Sequence, residues 1–152
     1  MTGREPEDVP GALPWTGLVL LGLPGIGVAA YLTYAHWADR PTACGGIGDC
    51  ELVQTSEYSD IAGIPVALLG VLYFAALTVV AGARLRGLPA ALDWGNTVAF
   101  SMALAATAFV SYLTYLELAV LDAICIWCVS LATLTVASLG LAAWALFREG
   151  RG

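Results

Sequence analysis

The stretch Ile124–Phe147, ICIWCVSLATLTVASLGLAAWALF, contains no charged residue. A helix needs about 20 apolar residues to cross the roughly 30 Å hydrocarbon core of a bilayer, and this stretch is longer than that. It begins with Cys125-Ile126-Trp127-Cys128, which places two cysteines in the first turn of the predicted helix. The sequence therefore predicts a membrane-spanning helix that carries a Cys-x-x-Cys pair at one end.

The composition of the whole chain agrees with a membrane protein. The 152 residues are 59% hydrophobic and 12% charged, with a mean hydropathy of +0.81, which lies outside the range of soluble globular domains. Apolar segments predict four spans, at about residues 15–35, 64–83, 95–116 and 124–147. The predicted fold class is all-α: an integral membrane four-helix bundle. Within the outer loop 36–63, the mildly amphipathic segment Glu51–Ile61 is predicted to form a short helix that caps the bundle.

The arginines predict the orientation of the bundle. With four spans the two termini share a side, and Arg40 is the only basic residue on the opposite side. The remaining basic residues are Arg4, Arg84, Arg86, Arg148 and Arg151. The positive-inside rule therefore predicts cytoplasmic tails at residues 1–14 and 148–152, with one four-span catalytic domain, 15–147, between them. All four cysteines then lie on the extracytoplasmic side of the plasma membrane, where disulfides persist.

The net charge of −6 is concentrated in the outer loops. The acidic residues there are Asp39, Asp49, Glu51, Glu57, Asp60, Glu117 and Asp122. These charges either solvate exposed loops or steer a soluble partner that has a basic rim. The few basic residues exclude nucleic-acid binding as the function.

The four cysteines form two pairs. Cys125 and Cys128 are three positions apart, so they share a helix face and their sulfur atoms come within bonding distance. The free N–H groups and the positive dipole at the start of a helix favour the reactive thiolate. Cys44 and Cys50 fall in the longest polar stretch of the chain, so one pair lies in water and one at the membrane.

Other interpretations of these cysteines stay open. They include a zinc site, purely structural disulfides and inert buried thiols. The spacing Cys44-x5-Cys50 is not that of a usual zinc knuckle, and the grouping of all four cysteines on one side favours redox chemistry over chance. We therefore expect no metal, and we interpret His36, the only histidine, as structural.

The motifs together resemble the vitamin K epoxide reductase family, and most of all its bacterial members. They are the loop pair Cys44/Cys50, the run CELVQTSEYSDIAGIP at Cys50–Pro65, Leu69-Gly70-x-x-Tyr73, and the pair Cys125/Cys128 at the start of the last span. The resemblance covers about Gly17–Phe147. The chain departs from the mammalian reductases, which have a tyrosine where this chain has Ala132. It also ends at Gly152 without the fused thioredoxin-like domain of many bacterial members.

The resemblance implies an enzyme of the bacterial inner membrane that re-oxidises a thioredoxin-like extracytoplasmic protein. In this chain that protein is expected to be a separate partner. The implied path runs from the partner to Cys44, from Cys50 to Cys125, and from Cys128 to a membrane quinone. Menaquinone is favoured over ubiquinone as the acceptor, and the reaction supports disulfide bond formation.

A quinone site is predicted between the outer ends of the four helices, beneath the capping segment. The residues predicted to surround the head group are Ser56, Ser59, Ile64, Pro65, Tyr112 and Tyr115. Ser59 is the first candidate to donate a hydrogen bond to the quinone oxygen. Asp60, Glu117 and Asp122 are the candidates for supplying protons.

Three alternatives remain at this level. In the first, the chain belongs to the other bacterial four-helix family of quinone-linked oxidases, although that family has its cysteine pairs in the reverse order. In the second, the chain reduces a quinone or vitamin K epoxide for a quinol-dependent process, and the reduction potential of the partner decides between this direction and thiol oxidation. In the third, the chain is a non-catalytic membrane redox sensor and shows no quinone-dependent turnover.

Overall fold

A computed structural model describes residues 11–151 of the chain. Most of the predicted N-terminal tail, residues 1–10, and the last residue of the C-terminal tail, Gly152, lie outside the described residues. The described residues form four long helices, one short helix and one small hairpin. These elements are α1 (Ala12–Trp37), α2 (Cys50–Gln54), β1 (Asp60–Ile61), β2 (Ile64–Pro65), α3 (Val66–Leu85), α4 (Pro89–Ala119) and α5 (Ile126–Glu149).

The four long helices form a bundle in the order α1, α3, α4, α5 around its axis. Helix α1 packs most closely against α3, α4 packs against α5, and α1 also packs against α5. Each of the four is long and apolar enough to cross a membrane. Large apolar side chains such as Leu20, Leu72, Leu104 and Phe147 are more than half exposed on their outer faces. A bilayer would cover these side chains, so the chain is a multi-pass all-α membrane protein.

The half of the bundle remote from the cysteines is closely filled. Leu18 and Leu77 lie in its buried core among several alanines, which include Ala99 and Ala142. Small side chains let helices approach closely, which is how membrane helices gain packing energy. At the end of this half, Arg84 forms an ion pair with Glu149 and lies over the ring of Trp15, 4.8 Å from the ring centroid. These contacts therefore link α1, α3 and α5 at this end of the bundle.

Close contact between α1 and α3 depends on Gly25, which lies against the ring of Phe74. A Cβ atom at Gly25 would lie 2.6 Å from carbon atoms of that ring. Gly27 lies on the same helix, and a Cβ atom there would meet no atom within 4 Å. Alanine substitutions at these two glycines therefore separate the effect of packing against Phe74 from the effect of helix propensity.

We predict that Gly25→Ala lowers the free energy of unfolding by about 1–3 kcal/mol relative to Gly27→Ala, because overpacking forces the helices apart. Both variants gain the same helix propensity, so the difference isolates the contact with Phe74. Thermal unfolding of the two variants in one detergent measures it. Equal midpoints would show that the Phe74 ring moves aside without cost.

The outer loop differs from the sequence-based prediction. The capping helix α2 ends at Gln54, and a hairpin of β1 and β2 follows in place of helix as far as Ile61. Ser56 and Ser59 donate their hydroxyl groups to the carbonyls of Val53 and Ser56, a local pattern that competes with helix. Positive φ angles at Ala62 and Gly63 then make the tight hairpin turn.

Candidate active site

The redox motif lies where α5 begins. Cys125 is the N-cap residue of α5, with an extended backbone, and Cys128 lies within the first turn. Both thiols are free, Cys125 is fully buried, and Cys128 is partly buried. A hydrogen bond from the Cys128 thiol lowers the pKa of Cys125 to about 7, although burial opposes the shift. Cys125 is thus the more readily ionised thiol, and a thiol of low pKa is a good leaving group in disulfide exchange.

The second pair lies directly above the first. Cys44 and Cys50 form a disulfide with their Cα atoms 6.3 Å apart. Cys50 begins α2 and is 1% exposed, whereas Cys44 is partly exposed beside Gly45 and Gly46. The loop therefore presents Cys44 outward and keeps Cys50 inside.

Main-chain contacts hold the loop of the second pair against the start of α5. Gly48 forms an isolated β-bridge with Cys125, and the N–H of Asp49 donates to the carbonyl of Ile124 at 3.0 Å. The indole N–H of Trp127 donates to the carbonyl of Ala43 at 3.0 Å. These contacts join the outer loop to the start of α5 on both sides of Cys44 along the chain.

An aromatic pair on α1 and α5 strengthens this junction. The ring of Tyr31 lies against Trp127 with centroids 5.4 Å apart, and its hydroxyl accepts the N–H of Ala43 at 3.0 Å. Cys50 and Cys125 are both members of one buried cluster, against which Cys44 and Cys128 pack. All four cysteines therefore belong to a single packed group.

The close approach of the loop to α5 requires glycine at position 48. Its φ of +82° is unfavourable for other residues, and a Cβ atom there would collide with the carbonyl oxygen of Ile124. Gly46 has a similar φ of +78°, but a Cβ atom there would meet nothing within 4 Å. A comparison of these two positions separates backbone strain from the contact with α5.

We predict that Gly48→Ala slows thiol exchange between the two cysteine pairs by about tenfold or more, because a displacement of about 1 Å at a reacting centre has a large effect on rate. Gly46→Ala, which shares the backbone strain, should change this rate by much less. Rapid acid quench followed by alkylation of free thiols measures the exchange. Equal rates in the two variants would show that docking of Gly48 on Ile124 does not align the pairs.

Beneath the cysteines is a cavity of about 530 Å³. Its walls are mostly apolar and come from α3, α4 and α5, with Leu69, Phe109 and Leu131 among the lining residues. Its lining also includes Cys128 and Glu117. The volume falls within the range of small-molecule sites, and such sites combine apolar walls with few polar groups.

The structure places the predicted quinone-site residues in three different environments. Ser56 and Ser59 line the cavity, but each hydroxyl already donates its single proton to a carbonyl, so either can only accept a further hydrogen bond. Ile64 is half exposed and Pro65 is buried at the start of α3, outside the cavity lining. Tyr112 and Tyr115 are 55% and 61% exposed on the outer face of α4.

Tyr58 and Glu117 line the cavity, although the sequence-based set of quinone-site residues includes neither. Tyr58 follows α2 in the outer loop and offers a phenol hydroxyl. Glu117 is a buried acid, 7% exposed, next to the thiols of α5. The sequence identifies Glu117 only as one of three candidate proton sources. The signal for its place at the cavity is a lone carboxylate in an otherwise uncharged helical segment, since such residues are costly to bury.

Comparison with known families agrees with this geometry. A sequence model described as the Vitamin K epoxide reductase family matches residues 17–143, which include all four cysteines and every residue that lines the cavity. The matched region covers most of the chain. The protein therefore belongs to the vitamin K epoxide reductase family, whose members are membrane thiol oxidoreductases that use quinone-type electron acceptors.

Proposed function

We propose that this protein oxidises the dithiol of a thioredoxin-like protein outside the cytoplasm and transfers the electrons to a membrane quinone, in support of disulfide bond formation. The observation that carries the proposal is the layered order of the site. Cys44 is partly exposed at the outer surface, Cys50 and Cys125 are buried together, and Cys128 is on the wall of the cavity. Each cysteine thus has a place in a path from water to lipid.

The first half of the reaction takes place on the loop pair. A thiolate of the partner attacks the Cys44 sulfur, the Cys44–Cys50 bond breaks, and the second partner thiol resolves the mixed disulfide. The partner leaves oxidised, and the loop pair holds two electrons and two protons. The exposure of Cys44 next to glycines with positive φ supports its role as the attacked sulfur.

The second half moves the electrons to α5. Cys50 attacks Cys125, the Cys125–Cys128 bond breaks, and Cys44 then attacks Cys50 to restore the loop disulfide and release Cys125. The low pKa of Cys125 makes it a good leaving group in this last exchange. Cys128 then passes the electron pair to the quinone, and the Cys125–Cys128 bond closes again. Two thiols are oxidised and one quinone is reduced to the quinol.

The cavity has the chemistry that a quinone head group requires. Its apolar walls suit the ring and an apolar tail, and Cys128 at its upper end provides the reducing sulfur. Tyr58 is the phenol that we assign as hydrogen-bond donor to a quinone oxygen, since the hydroxyl groups of Ser56 and Ser59 donate elsewhere. The chain's own residues thus bind, orient and reduce the acceptor without a metal. We propose menaquinone over ubiquinone as the natural acceptor.

The orientation follows from charge. Arg84, Arg86 and Arg148 lie at or near the ends of helices remote from the cysteines. We therefore propose a protein of the inner membrane with both termini in the cytoplasm and the cysteines outside. The acidic outer loop then faces the partner.

Purified protein, a reduced thioredoxin-like protein and either menadione or ubiquinone-1 test the proposal. We expect quinone consumption that is catalytic in protein, with two partner thiols lost for each quinone reduced. Protein heated to unfolding is the control. If the cysteines change redox state once without continued quinone consumption, the protein is a redox sensor and the proposal fails.

A further inference from the structure

Glu117 is a buried carboxylate that the electron path does not use. It lies in the last turn of α4, is 7% exposed, and lines the same cavity as Cys128. Its Oε2 atom accepts the main-chain N–H of Cys125 at 3.4 Å. Cys128 lines the same cavity, so the carboxyl group and the Cys128 thiol share one enclosed space. One acid thus contacts Cys125 and lies in the same cavity as Cys128.

No cation balances this carboxylate among the described residues. The ion pairs in that part of the chain join His36 to Asp60 and Arg84 to Glu149. Burial of an unpaired charge is costly, and two negative charges a few ångströms apart in a low dielectric are costlier still. The Glu117 carboxylate and a Cys128 thiolate are therefore not stable together. One proton shared between them is the favourable arrangement.

The other two acids considered as proton donors lie elsewhere. Asp60 is exposed and pairs with His36 at 3.1 Å. Asp122 is exposed in the turn between α4 and α5, where its φ is +47°. Neither residue is part of the cavity lining, whereas Glu117 is.

We propose that Glu117 is the proton carrier of quinone reduction: it takes the proton of the Cys128 thiol and delivers it to an oxygen of the quinone. This inference rests on the proposed function, because it assigns a step within it. Transfer to Glu117 frees the Cys128 thiolate without adding a second negative charge to the site. It therefore couples the movement of the electron pair to the movement of a proton.

The step balances in atoms, electrons and charge. The dithiol gives up two electrons and two protons, the Cys125–Cys128 bond forms, and the quinone becomes the quinol. The proton of Cys128 passes through Glu117 to one quinone oxygen. The Cys125 thiol loses its proton to water as its sulfur bonds to Cys128, and a proton from water reaches the other oxygen. Glu117 ends the step as a carboxylate, as it began.

Two variants at position 117 separate proton transfer from a structural role. Glu117→Gln keeps an oxygen that accepts the Cys125 N–H but cannot take up a proton, and Glu117→Asp keeps the acid. Glu57→Gln, in the exposed part of the outer loop, is the matched control. Each protein is reduced in advance and mixed once with menadione, and the rate of quinone reduction is followed optically in H₂O and D₂O. Exchange between the reduced partner and the loop disulfide is measured separately.

We expect Glu117→Gln to slow the quinone step by about 100-fold, the lower range of general acid–base catalysis. Exchange at the loop disulfide should stay near the wild-type rate, Glu117→Asp should recover part of the loss, and Glu57→Gln should behave as wild type. The wild-type quinone step should be slower in D₂O by about twofold or more, because a proton moves in it.

A quinone step in Glu117→Gln as fast as in wild type overturns the inference, as does an equal loss in both steps. If Glu117→Gln does not fold, failure of Glu117→Asp to reduce quinone, or an absent isotope effect in wild type, overturns it. Failure of the proposed function gives a different result, since wild type itself then does not reduce quinone.

Discussion

Cys128→Ser abolishes quinone-dependent turnover in our account, with a loss of at least about 1,000-fold, because removal of a nucleophile leaves no alternative covalent path. Cys128 is the cysteine that lines the cavity, whereas Cys125 is fully buried above it. Serine keeps the size of the side chain but does not donate an electron pair to the acceptor. Quinone consumption with the reduced partner measures the effect.

The same variant should still react with the partner. Cys44 and Cys50 remain intact, so one round of exchange proceeds and leaves one oxidised partner and a reduced loop pair, which alkylation of free thiols followed by electrophoresis detects. Ser130→Ala is the control on the same helix, since the Ser130 hydroxyl only donates to the Ile126 carbonyl one turn earlier. Turnover by Cys128→Ser at more than a few per cent of the wild-type rate would refute the assignment of Cys128.

Cys50→Ser should separate the two halves of the site. Turnover driven by the protein partner should fall by at least about 100-fold, because exchange needs an attacking thiolate and serine provides none. Turnover driven by a small dithiol such as dithiothreitol should persist, since such a reductant reduces the Cys125–Cys128 disulfide directly. The ratio of the two rates in one preparation is the measurement, and it corrects for differences in yield and folding.

Cys44→Ser serves as the companion to this variant. It should lose the same partner-driven turnover, because it too has no Cys44–Cys50 disulfide for the partner to attack. If Cys50→Ser keeps its partner-driven turnover, the partner reaches the pair on α5 without the loop, and the loop disulfide is structural.

The sequence predicted the parts of the site that depend on composition and local spacing. Uncharged segments identify spans because the bilayer tolerates few charges, and the pair Cys125/Cys128 indicates redox chemistry through its spacing and its position at the end of a span beside a second cysteine pair. The docking of Gly48 and Asp49 on the start of α5 was not predictable from the sequence. It uses main-chain hydrogen bonds between segments that are more than 70 residues apart, and such bonds leave little trace in side-chain pattern.

The quinone-site prediction shows a second limit. The position of Tyr112 and Tyr115 near the outer end of the third span predicts contact with the head group, but both side chains are exposed on the outer face of α4. Leu113, Leu116 and Glu117 line the cavity instead. A span that is apolar on every side carries little information about which face packs inward. The acidic side chain of Glu117 therefore indicates the cavity-facing side of α4 better than the aromatic side chains of Tyr112 and Tyr115 do.

The most direct test of the relay uses four single variants, with Cys44, Cys50, Cys125 and Cys128 each changed to alanine, and two reductants. Quinone consumption is followed for each variant with the reduced thioredoxin-like partner and, separately, with a small dithiol. We expect the partner to support turnover only when all four cysteines are present, whereas the dithiol needs only Cys125 and Cys128. Partner-driven turnover without Cys44 and Cys50, or dithiol-driven turnover without Cys128, would contradict it.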